Sequence, residues 1–449
     1  MSRKEWIPSL VSTAIFMVAA LAIVMIASEI RQRKPLIRDV SEVARQIEER
    51  YLFGVDDDEL RYAALEGMVD ALDPYSEFYP PDQAREINEE NDGKFGGLGI
   101  RVRKIKGEPI YVESTLEGQP AFNAGVRAGD WITAVDGFTT EQLKRSEILR
   151  LLKGEVGSSV RLTIHRKGVE ASLEIDVVRG EIQILSVVGA ELIDPQARIG
   201  YLRMIQFQVN SPAEFDDAID ELEARGMQSL IVDLRTNPGG VLTASLRIAG
   251  RFLPLDAPLL KTVSRDKTEE EYEVENEPTL PRIPLVVLVN EFSASASEIV
   301  AGAIQDHQRG ILVGTRTFGK GSVQTLIPIG KEEALLKLTT AKYQTPSGRQ
   351  IHREPGAGEE DAWGLRPDVT IPFDVGILYE IRRRSVEKER GIHMVPHETV
   401  EKTEGPVPND PQLEEAIRIL KDPDRYDSIL AGASPAAERA LPKTAKGVR

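Results

Sequence analysis

Two short runs constrain this fold most: Leu230-Ile231-Val232-Asp233-Leu234 and Leu285-Val286-Val287-Leu288-Val289. Neither alternates apolar with polar residues, as expected of strands buried on both faces. Helical patterns follow each run. The stretch 183–376 therefore predicts an α/β domain with a largely parallel sheet. Residues 93–182 have a different texture. Short β-branched runs (Ile110-Tyr111-Val112, Val160 to Ile164, Leu173 to Val177) are separated by Gly-rich turns, which predicts a small β-rich domain. Residues 36–92 read as helical from the spacing of Val40, Val43 and Ile47 and of Leu60, Ala64, Leu65 and Met68, with Asp73-Pro74 stopping the second helix. Residues 377–449 read as a helical region (Ile377 to Arg390, Pro411 to Leu420) and a tail that frays after Asp427. Seven acids between Asp266 and Glu277 predict a solvated loop or hairpin.

At the N-terminus, Ile7 to Ser28 is 22 residues without a charge, long enough to cross a bilayer as a helix. Residues 1–30 are expected to be a retained single-pass anchor, because no clean A-x-A cleavage site follows the run. Arg3 and Lys4 precede it, whereas Arg31, Arg33, Lys34 and Arg38 follow it. That count alone favours a cytoplasmic body.

Composition removes several chemistries. The 449 residues contain no cysteine, which excludes disulfides, thiolate metal sites and a thiol nucleophile. Only five histidines are present, so no metal or other cofactor is expected, and His393 and His397 read as surface residues. A net charge of −16 argues against nucleic acid as a partner.

Three motifs carry the remaining chemistry. Asp233-Leu234-Arg235-Thr236-Asn237-Pro238-Gly239-Gly240 follows a buried strand, and its glycines can turn the backbone so that amides face an oxyanion. Ser293-Ala294-Ser295-Ala296-Ser297-Glu298 lies between a strand and a helix. Small residues there clear space around a serine, although Ser295 to Glu298 also has capping-box spacing. Gly314-Thr315-Arg316-Thr317-Phe318-Gly319-Lys320-Gly321 nearly matches a P-loop. It fails where Gly321 replaces the metal-binding hydroxyl, and strand-like residues follow, so nucleotide binding is rejected. A serine nucleophile needs a base. His307 lies twelve residues along the same helix, about 18 Å away. Lys320 has no such limit. As a base it must be neutral, which requires its pKa to fall from about 10.4 towards 7–8, and a dry pocket can supply this.

The strings S-A-S-A-S-E-I-V-A-G-A-I-Q-D and T-F-G-K-G-S-V-Q, with D-L-R-x-N-P-G-G upstream, resemble the carboxyl-terminal processing (tail-specific) peptidases of serine peptidase family S41. Gly200-Tyr201-Leu202 with Phe207, Tyr343 to Ile351, and Arg366-Pro367-Asp368-Val369 extend the match. The string from Gly97 to Gly137, with Ala124-Gly125 to Ile132, resembles a PDZ domain. The resemblance implies Ser295 as nucleophile, Lys320 as base and Gln324 as its orienting partner. It also implies an oxyanion hole from the amides of Ala296 and of Gly239 or Gly240, and Asp306 in a supporting role. Gly97, Leu98, Gly99 and Ile100 would line a loop that takes a peptide carboxylate. The fold implied is an α/β core of the crotonase/ClpP-like spiral type, with an inserted PDZ domain and helical flanks. The implied activity is endopeptidase cleavage near substrate C-termini, with the body outside the cytoplasm, against the charge count at the anchor. Two positions depart from the family pattern, Tyr75 in place of His and Thr236 in place of Asn. An inactive PDZ scaffold and a crotonase-like acyl-CoA enzyme are the rival readings, and a homo-oligomer is left open.

Overall fold

The computed structural model describes residues 35–280, 282–330, 334–372, 376 and 410–432. The expected anchor, the helix expected from Ile377 to Arg390, His393 and His397 lie outside these residues. No helix among the described residues is long and apolar enough to cross a membrane.

Two units meet in sequence at Pro80–Pro81. The first contains α1 (Pro35–Arg50), α2 (Asp57–Val69) and a short strand β1 (Glu77–Tyr79). Asp56 caps α2 by accepting from the amides of Asp58 and Glu59, and the three acids of the first turn complement the positive helix end. The expectation of an all-helical segment is corrected here. Helix α2 ends at Val69, ahead of Asp73-Pro74, and the chain then turns into β1. Asp73 Oδ1 accepts from the amides of Tyr75 and Ser76, an Asx turn that competes with further helix.

The second unit begins with α3 (Pro81–Asp92) and β2 (Lys94–Gly97), which lead into β3 (Ile100–Lys104), β4 (Ile110–Thr115), α4 (Pro120–Ala124), β5 (Trp131–Val135), β6 (Phe138–Thr139), α5 (Arg145–Leu152), β7 (Ser159–His165), β8 (Leu173–Val178) and β9 (Gly180–Gln183). Strands β3-β4-β5-β7-β8 form an antiparallel sheet. Its alternating residues Ile110, Val112, Leu162 and Ile164 are fully buried against Ile148 of α5. Strands β2 and β9 pair as a ribbon at the base of this domain.

The remaining elements are β10 (Val187–Asp194), β11 (Ile199–Met204), α6 (Ser211–Ala224), β12 (Ser229–Asp233), α7 (Leu242–Ala249), β13 (Pro258–Ser264), β14 (Glu269–Glu273), β15 (Leu285–Val289), α8 (Ala296–Asp306), β16 (Ile311–Gly314), β17 (Ser322–Ile329), β18 (Ala334–Gln344), β19 (Val369–Thr370), α9 (Pro411–Leu420) and α10 (Pro423–Gly432). The sheet order is β10-β11-β12-β15-β16-β19, parallel except for β10. Its two faces bury alternate residues of the same strands. Leu230, Val232, Leu285, Val287 and Val289 pack with α6, α7 and α8. Ile231, Val286, Leu288 and Val313 pack with Ala416, Ile419 and Tyr426 of α9 and α10. That double cover is why the strand runs show no alternation. Helix α10 runs on to Gly432, with the buried Tyr426 anchoring it, so the fraying expected after Asp427 is corrected for residues 428–432; the rest of the tail lies outside the described residues.

A second, antiparallel sheet joins β17, β18, β13 and β14 in that order. The acidic segment is its outer hairpin, where Lys261 pairs with Glu269 and Glu271.

Candidate active site

The turn from β15 into α8 sorts its three serines. Ser293 and Ser297 are fully buried and fasten the turn to the loop after β12. Ser293 Oγ donates to the Leu234 carbonyl at 2.8 Å, and Ser297 Oγ to the Asn237 carbonyl at 2.9 Å. Ser295 alone is partly exposed. It is the N-cap of α8, with φ 55° and ψ −115°, a backbone region that side chains rarely occupy. A non-glycine residue held there is strained.

The glycine loop lies directly behind it. Gly239 has φ 100°, and a Cβ there would stand 2.9 Å from the Ser295 Cβ and 2.9 Å from the Ala296 nitrogen. Gly240 has φ 140° and sits against Phe207, where a Cβ would meet the carbonyl at 2.0 Å. The Gly239 amide donates to Asn237 Oδ1 at 2.9 Å. It is therefore already engaged, whereas the Gly240 amide has no acceptor among the described residues. The Ala296 amide opens α8 and has no intrahelical acceptor. These two amides are therefore the ones left available to an incoming acceptor.

Lys320 follows on the next loop. It is partly buried, and strand β17 rather than a helix comes after it. Its amide donates to Glu298 Oε2 at 2.8 Å, and the amide of Ser295 donates to the same oxygen at 2.9 Å. Glu298 Oε1 accepts from Gly319 N and from Thr317 Oγ1. Burial pushes this carboxyl above its ordinary range, against the lowering effect of these four donors. The Tyr343 hydroxyl completes a second clasp, 2.8 Å from the Lys320 carbonyl and 3.2 Å from that of Ser295. Burial and the charge of Glu298 hold the Tyr343 phenol well above its ordinary value, so it stays a neutral donor.

Gln324 lies on β17, where its amide nitrogen donates to Ser322 and Thr339 hydroxyls at 2.9 and 3.2 Å. Asp306 closes α8, pairs with Arg349 and accepts from Ser347 N at 2.8 Å, tying down the loop after β18. His307 sits at the far end of α8 and donates through Nε2 to the Pro258 carbonyl at 2.7 Å.

Local pattern left two contributors unrecognised. Glu298 carried a visible signal, the S-x-x-E spacing, which reads as a helix cap; the cap exists, but its carboxylate also holds the Lys320 loop. Asp410 carried none. It is the N-cap of α9 and meets the buried Arg235 guanidinium at 2.9 Å, on the nitrogen Nη2 that Asp233 also contacts.

A separate groove of about 430 Å³ runs between β3 and α5, lined by Gly97 to Val102, Leu149 and Leu152. Strand β3 is the edge of its sheet, so it can accept an added strand.

Comparison with known proteins covers both regions. Residues 198–371 match peptidase family S41 and residues 96–177 match a PDZ domain. The carboxy-terminal-processing protease of Bartonella bacilliformis is 34% identical over 393 residues, which are 85% of this chain and 87% of the relative. The carboxyl-terminal-processing protease of a Synechocystis species is 38% identical over 321 residues, 70% of this chain and 74% of the relative. Among solved structures, a photosystem II D1 C-terminal processing protease aligns with 73% of this chain and 86% of its own, at 30% identity and a TM-score of 0.40.

Proposed function

The chain belongs to peptidase family S41, as a carboxyl-terminal-processing serine peptidase with a PDZ domain, and from that premise we propose that Ser295 is its nucleophile and Lys320 its general base. The observation that carries the assignment is the Glu298 clamp, which binds the amides of both residues on one oxygen.

A substrate C-terminus enters the groove beside β3, with its carboxylate in the Gly97-Leu98-Gly99-Ile100 loop. The polypeptide upstream reaches Ser295. Neutral Lys320 removes the proton from Ser295 Oγ, which bonds to the scissile carbonyl carbon. The negative oxygen is received by the amides of Ala296 and Gly240. Lys320 returns its proton to the departing amine as the peptide C–N bond breaks. Water then resolves the acyl-enzyme through the same lysine. Gln324 offers its carbonyl oxygen to orient the amine. Asp306 supports the frame through Arg349 and does not touch the reacting atoms. No metal or cofactor enters this scheme.

The same reading takes the two-sheet core as the spiral arrangement of crotonase- and ClpP-type folds. It makes residues 1–30 a single-pass anchor in the cell membrane, with the catalytic body on the extracytoplasmic side.

The test is proteolysis of a disordered substrate whose C-terminal residues are varied. Ser295→Ala and Lys320→Ala are expected to abolish cleavage while leaving peptide binding by the PDZ groove unchanged. Proteolysis retained by either variant overturns the dyad.

A further inference from the structure

The loop that follows β18 returns to pack on Gly319, the residue before Lys320. Its base is closed where the Gly364 amide donates to the Ile351 carbonyl at 2.8 Å. Within it, Trp363 is 7% exposed and has a guanidinium on each face, the Arg316 Cζ at 3.6 Å and the Arg353 Cζ at 4.1 Å from its ring centre. The indole N–H donates to the Gly358 carbonyl at 2.8 Å, and Arg316 Nε to the carbonyl of Trp363 itself at 2.8 Å. This stack lies against the residue next to Lys320. A Cβ on Gly319 would stand 3.2 Å from Trp363 and 3.0 Å from the Cβ of Arg353, and Arg353 N donates to the Gly319 carbonyl at 2.8 Å.

From this packing we infer that Trp363 is a positioning residue for Lys320, and that the guanidiniums stacked on it keep positive charge beside the amine and favour its neutral form. The inference rests on the reading of Lys320 as general base. A cation near an ammonium raises the energy of the charged state, and a wall of indole excludes the water that would otherwise solvate it. The other polar groups around this stretch are the Glu298 carboxyl on the Lys320 amide, the Tyr343 hydroxyl on its carbonyl, the Lys342–Glu354 pair and His352, whose backbone packs on Gly321. Glu298 is engaged by four donors, and Glu354 by Lys342. Arg353 is the charge that the loop itself adds next to Gly319, and Arg316, which also stacks on the indole, meets the exposed Glu359 carboxylate at 3.8 Å.

The experiment is the pH profile of kcat/KM for the full chain on an unstructured peptide. Neutral lysine is the active form, so its titration sets the acidic limb. Arg353→Gln is expected to move that limb up by about 0.5–1 pH unit. Trp363→Leu is expected to move it further and to lower kcat about tenfold at pH 7, with activity recovering towards pH 10. Trp363→Phe, which retains an aromatic face, restores most of the activity. The same Arg353→Gln shift is expected in a His352→Gln background, which separates it from imidazole titration. Cooperative thermal unfolding of each variant reports that it is folded. A loss equal at every pH, or no movement of the limb in either variant, overturns the inference. Activity retained by Lys320→Ala instead overturns the underlying assignment of the base.

Discussion

The amides of Ser295 and Lys320 converge on one oxygen of Glu298, at 2.9 and 2.8 Å. Two residues 25 positions apart are thereby held less than two hydrogen-bond lengths from each other at the main chain. In Glu298→Gln one acceptor becomes an NH₂ group that faces N–H donors, so at least one buried amide loses its partner. The expected cost is about 1–3 kcal/mol of stability and about a hundredfold in kcat, because small displacements of the reacting groups are that damaging. Thermal unfolding and steady-state kinetics together check it; an active, equally stable variant contradicts the clamp.

Ser295 occupies glycine territory, so its two simplest replacements must differ. Both Ser295→Gly and Ser295→Ala lose the hydroxyl and are expected to be inactive. Only glycine relieves the backbone at φ 55°. Ser295→Gly is therefore expected to be more stable than Ser295→Ala by about 1 kcal/mol or more, measured by denaturant unfolding. Equal stabilities would mean that the turn carries no strain.

Gly239→Ala places a methyl group 2.7 Å from the Ala294 carbonyl and 2.9 Å from Ser295 Cβ, at a φ of 100°. Backbone atoms cannot yield as a flexible side chain can. The expectation is a fall in kcat of about a hundredfold with little change in KM, since the groove proposed for the substrate tail is elsewhere. A variant with wild-type kcat shows that the loop can retreat from the serine.

Acid stability is expected to depend on Asp233. Its burial opposes the charged form, but Arg235 and Arg203 outweigh that and hold its carboxyl below the ordinary value of 3.8. A depressed folded-state pKa contributes stability that is complete above the unfolded value and is lost as pH falls through the folded one. Stability should therefore drop below about pH 4 in the wild type. Asp233→Asn should flatten that part of the curve and cost about 3–5 kcal/mol at neutral pH, because it strips one partner from the buried Arg235. Unfolding free energies from pH 3 to 7 for both proteins decide the matter; parallel curves sink the prediction.

Much of this site was legible in the chain. Ser295, Lys320 and the glycines each stand in a motif whose residue types suit acyl transfer, and no cysteine competes for the role of nucleophile. The serine motif was less transparent. S-A-S-A-S holds three equivalent hydroxyls by pattern, and only the depth of Ser293 and Ser297 against the Leu234–Asn237 loop leaves Ser295 as the accessible one. Glu298 was visible as a cap, but its hold on Lys320 was not, because a hydrogen bond across 22 residues leaves no periodic trace.

The sequence by itself determined the layers and the candidate chemistry. Strand and helix periods are local, and the buried runs 230–234 and 285–289 could be satisfied only by cover on both faces. Tertiary structure decided the geometry. Asp410 returns 175 residues later to meet Arg235 at the start of the glycine loop, and Tyr343 and Glu298 clasp the backbones of Ser295 and Lys320. Such contacts depend on where a folded chain passes itself, which no local spacing encodes. The buried Arg235 draws carboxylates from both ends of that interval because a charge removed from water is stable only beside its counter-charge.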